Sequence, residues 1–61
     1  MATFRRAFID HGRVAVEVRP GQCWALPNPT ANGTRYEAEK ILRAVVAARE
    51  VNLELWEKID D

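Results

Sequence analysis

The spacing of apolar and polar positions changes period near the middle of this 61-residue chain, from strand-like to helix-like. Thr3–Ile9 and Val14–Arg19 are rich in β-branched and aromatic residues and read as two strands joined at Asp10-His11-Gly12. Two registers compete. A two-residue His11-Gly12 turn sets Ile9 opposite Val14 and Phe8 opposite Ala15. A three-residue loop, with Gly12 left-handed as a bulge, sets Phe8 opposite Val14 and Phe4 opposite Val18. The second gathers Phe4, Phe8, Val14, Val16 and Val18 on one face and faces Arg5 with Glu17, so it is the expected register. It leaves Arg6 on the apolar face between Phe4 and Phe8, where the side chain either snorkels to the sheet edge or reaches a partner.

Arg19-Pro20-Gly21-Gln22 places Pro and Gly as a type II turn requires, and the chain should return as a third strand through Gln22–Leu26, ended by Pro27. Residues 27–33 carry two prolines and Asn32-Gly33 and read as a loop. Thr34-Arg35-Tyr36-Glu37 then matches a capping box. From Arg35 onward no Gly or Pro interrupts the chain, and Ile41, Leu42, Val45, Val46 and Ala48 form an apolar stripe at helical spacing. Past Arg49 the signal divides. Val51, Leu53 and Leu55 alternate as in a strand, whereas Val45, Ala48, Asn52, Leu55 and Ile59 continue the helical spacing. With no breaker present, the helix is expected to reach about Ile59.

The expected fold is α+β, a three-stranded antiparallel β-meander followed by one long C-terminal α-helix (β-β-β-α), in a single small domain covering residues 1–61. Such a helix would be roughly 37 Å long, against ~20 Å for a six-residue strand. Its last two turns, with Leu53, Leu55, Trp56 and Ile59, would overhang the sheet and need cover. A chain of this size buries only ~60% of its unfolded surface, so it is marginal without reinforcement. One cysteine, Cys23, and one histidine, His11, supply neither an internal disulfide nor a four-ligand soft metal site. The expectation is therefore a homodimer packed through the C-terminal helix, with no metal or cofactor.

Net charge is zero but dipolar, +3 on residues 1–35 and −3 on residues 36–61. No stretch approaches the ~20 apolar residues of a membrane span. Arg5-Arg6 is not followed by a signal-type apolar run, and a lone thiol suits a reducing compartment, so a cytoplasmic protein is expected.

Chemistry offers few openings. Cys23 and His11 are the available nucleophile and base, but they fall on the third strand and the first hairpin tip. Glu50, Glu54 and Glu57 lie along one side of the expected helix, which a solvated face with a Glu54–Lys58 pair explains. Gly12, Gly21 and Gly33 are isolated turn residues rather than a phosphate loop. No enzyme is expected.

Two binding functions remain. Two tryptophans in a short chain, the apolar overhang and the lack of internal staples suggest a protein-binding module, with Arg6, Leu53, Trp56 and Ile59 as contact residues. Such small non-enzymatic proteins are frequent among phage-encoded inhibitors and accessory proteins that act on a host complex. The alternative is a sheet-face DNA-binding accessory protein using Arg5, Arg13 and Arg19. In topology alone, a three-stranded sheet backed by a helix resembles the arm-binding domains of tyrosine recombinases, and that resemblance implies a sheet laid in a major groove. The neutral charge and acidic helix weigh against it.

Overall fold

A computed structural model describes residues 1–27 and 35–59. The chain runs through strands β1 (Ala2–Thr3), β2 (Arg6–Asp10), β3 (Arg13–Arg19) and β4 (Gln22–Ala25), helix α1 (Arg35–Ala48), strand β5 (Glu50–Val51), a 3-10 turn (Leu53–Leu55) and strand β6 (Glu57–Ile59). Two antiparallel sheets result: a four-stranded one in the order β2-β3-β4-β6, and a two-stranded ribbon of β1 and β5. The class is α+β, but the β-β-β-α layout is not found. The helix stands in the middle of the chain, and the segment after it returns to the sheet.

The first hairpin takes the two-residue-turn register and not the expected three-residue loop. Phe8 pairs with Ala15, Ile9 with Val14 and Arg6 with Glu17. His11 (φ 51) and Gly12 (φ 78) are both left-handed, as a two-residue primed turn needs. Gly12 takes the positive φ expected of it, but that conformation serves either register and so could not choose between them. The choice falls to packing on both faces: Val14, Ala15 and Val16 in succession are at most 1% exposed, so β3 is not a strand with one wet side. Gly21 (φ 77) closes the second turn, and a bulge at Val18 shifts the register between Glu17 and Arg19.

The helix stops at Ala48, not near Ile59. Arg49 adopts a left-handed φ of 66° and its N–H still donates to the Val45 carbonyl at 3.1 Å, which closes the last turn. Glu50 and Val51 then pair with Thr3 and Ala2. Asn52 caps the 3-10 turn, its side-chain oxygen accepting from the Glu54 N–H at 3.1 Å. Glu57–Ile59 adds to β4, with Ile59 opposite Cys23, Lys58 opposite Trp24 and Glu57 opposite Ala25.

The energetic reason is burial. Fourteen helical residues span about 21 Å, close to the strands beneath, and a longer helix would carry its apolar residues past them. Folding back leaves Val51 5% exposed and half-buries Leu53, Trp56 and Ile59, so the overhang proposed as a dimer contact does not form. Leu55 is the exception at 66% exposed.

The core is small: Val14, Ala15, Val16, Cys23, Ala25, Ala38 and Val51. Helix α1 packs on β2 and β3. No helix among the described residues is long and apolar enough to cross a membrane. The Thr34 cap and the loop of residues 28–33 lie outside the described residues, as do Asp60 and Asp61.

Candidate functional site

The register arranges side chains in rows across the sheet, alternate rows facing opposite sides. One row reads Arg6, Glu17, Cys23, Ile59, and two residues along each strand comes Phe8, Ala15, Ala25, Glu57. The pair Asp10 and Arg13 shares this face. Between these rows, on the other face, lies Ala7, Val16, Trp24, Lys58. The first face is therefore an alanine floor with charged groups at both ends.

At one end the Arg6 guanidinium carbon stands 4.4 Å from the Phe8 ring centroid, and its Nε donates to Glu17 Oε1 at 3.2 Å. Arg6 and Phe8 are two residues apart on one strand, which aligns cation and ring, and the cross-strand register supplies the carboxylate. Glu17 Oε2 also accepts the Gly21 N–H at 3.4 Å. The Arg6 hydrogen bond, then the Gly21 amide, hold the Glu17 carboxyl below its usual pKa range. At the other end Arg13 Nη1 lies 3.6 Å from Glu57 Oε2, and His11 Nδ1 lies 3.2 Å from Asp10 Oδ1.

The four residues put forward for protein binding do not converge. Arg6 and Ile59 end the same row on opposite edges, roughly 14 Å apart at ~4.8 Å per strand. Leu53 opens the 3-10 turn and Trp56 follows it in extended conformation, its N–H donating to the Leu53 carbonyl at 3.0 Å. All three of Leu53, Trp56 and Ile59 are half-buried within their own chain.

The arginines put forward for DNA are also separated. Arg13 is at the hairpin end of β3, half-buried and engaged with Glu57. Arg19 is at the far end of this seven-residue strand, ~20 Å away, with exposed Arg5 beside that end. Between them lie buried Ala15 and half-buried Glu17 rather than base-reading side chains.

For nucleophilic chemistry, Cys23 and His11 are held apart by at least ~13 Å of strand. Among the described residues no group of three His, Cys, Asp or Glu side chains gathers as a metal site would require.

What the sequence did not disclose is where apolar surface remains open. On α1, among the side chains described from Glu37 onward, Ala38 is buried, Ile41, Leu42 and Val45 are half-buried and Val46 is 52% exposed. A stripe at helical spacing signals one covered face, but it cannot say how completely a four-stranded sheet of short strands covers it. Comparison with family models, curated proteins and solved structures returns no match to this chain, so its site is read from its own geometry.

Proposed function

We propose that this chain is a non-enzymatic protein-binding module that docks through α1. The observation behind this reading is the helix that its own sheet covers poorly, with Val46 52% exposed and Ile41, Leu42 and Val45 half-buried. Burying one such side chain is worth ~1.5–3 kcal/mol, so a partner that covers this stripe gains several favourable contacts. Arg43 stands one turn before Val46 on the same side of the helix and Glu39 lies beside Val46, so the open edge of the stripe has both charges on its rim, which suits a partner with an apolar groove and a mixed polar rim. The separation of Cys23 from His11 favours binding over catalysis, and the single thiol suits a reducing, cytoplasmic setting.

The test is capture from a lysate of the source cells, with and without nuclease, using the wild-type chain and Val46→Glu. A protein partner retained after nuclease and lost with Val46→Glu supports the reading. Retention of nucleic acid alone, or capture unaffected by Val46→Glu, overturns it.

A further inference from the structure

Strand β2 is an edge of the four-stranded sheet, and among the described residues no strand pairs with its outer side. The register fixes which of its backbone groups are unpaired. In a two-residue hairpin the closing pair, Asp10 with Arg13, exchanges both hydrogen bonds, as does the alternate pair Phe8–Ala15, and at the far end of the strand the Glu17 carbonyl accepts from the Arg5 N–H at 2.7 Å. The Val14 carbonyl accepts from the Leu26 N–H at 3.0 Å, which turns Val14 towards β4 and away from its partner Ile9. The N–H and C=O groups of Ala7 and Ile9 therefore point outward along the edge.

We infer that this edge pairs with the β2 edge of a second copy of the chain, antiparallel and centred on Phe8. That register sets Ala7 opposite Ile9 of the second copy at two symmetric places, so the outward donors meet outward acceptors. It also sets each Arg6 opposite Asp10 of the second copy and brings the two Phe8 rings together on the two-fold axis.

The side-chain order Arg6-Ala7-Phe8-Ile9-Asp10 is what makes the pairing self-complementary. Its ends are opposite in charge, so an antiparallel copy matches cation with anion, whereas a parallel copy sets like against like. Arg6 is 59% exposed at its side chain even with its Nε committed to Glu17, which leaves its terminal nitrogens to reach a second carboxylate. Asp10 is 34% exposed at its side chain, and Phe8 is half-buried with the Arg6 cation on its ring. The other edge, β6, is three residues long and lacks this symmetry, reading Glu57-Lys58-Ile59.

Amide exchange on the unaltered chain tests the pairing. Between micromolar and millimolar protein, exchange of the Ala7 and Ile9 amides should slow by more than about tenfold, alongside a dimer in sedimentation. Raised salt should weaken that dimer. A chain that stays monomeric at millimolar concentration, or a dimer whose new protection falls on β6 or α1, overturns the inference.

Cross-linking gives a second readout. A non-hydrogen-bonded antiparallel pair brings its Cα atoms to about 4.5 Å, within disulfide range. Phe8→Cys with Cys23→Ala should form an interchain disulfide on mild oxidation, and Lys58→Cys with Cys23→Ala should not. Cross-linking at residue 58 instead of residue 8 counts against the β2 edge. If Phe8→Cys does not fold, the exchange result decides.

Discussion

His11 and Gly12 share one backbone requirement with unequal ease. Gly12→Ala should destabilise the domain by ~1 kcal/mol, because a Cβ is disfavoured at positive φ. An added Cβ would meet nothing within 4 Å, so the cost lies in the backbone rather than in a clash. His11→Asn should raise the melting temperature slightly, since asparagine suits the first position of this turn better than histidine. Thermal melts of the two variants check both. Glu17 gives a pH dependence. Its folded-state pKa is lowered, so its stabilising contribution is complete above the ordinary carboxylate pKa and is lost as pH falls through the lowered value. Glu17→Gln should therefore flatten the acid side of the stability profile measured by urea unfolding between pH 7 and pH 3 (on the order of the carboxylate range). The two glycine positions were legible in the sequence, because positive φ selects residue type strongly. Arg6 was singled out for standing on an apolar face. Its actual partners, Phe8 and Glu17, depend on a register that the hydrophobic pattern decided the other way.

Among the elements, α1 shows where local pattern loses to tertiary packing. Its start and stripe were readable, but its end was not. Arg49 is a residue with good helix propensity placed in a left-handed conformation, and no side chain announces that. The alternation of Val51, Leu53 and Leu55 was the available hint, outweighed by the unbroken run of helix formers. Because Arg49 bears the cost of positive φ without a glycine's freedom, Arg49→Gly should stabilise the protein by ~0.5–1 kcal/mol. Were the helix to continue through this position, the same change would destabilise it by ~1 kcal/mol. The sign of the shift in the denaturation midpoint therefore tests the helix end directly.

At the scale of the whole molecule, the returning segment divides the late hydrophobic residues into those that hold the domain together and those that do not. Val51, 5% exposed, should cost about 1–3 kcal/mol on change to alanine. Leu55, 66% exposed, should cost within about 0.5 kcal/mol, and equilibrium unfolding of the pair gives the comparison. The expected overhang had made Leu55 one of the residues most in need of cover. The β1–β5 ribbon has a separate consequence, in time rather than in stability. It joins the second and third residues to the fiftieth and fifty-first, so it closes a loop that takes in nearly the whole chain. Loop closure on that scale gains no contact energy until late, and a helix of fourteen residues is marginal by itself while it waits. The ribbon should thus close after the folding transition state. Weakening Ala2 or Val51 should speed unfolding while leaving the refolding rate nearly unchanged.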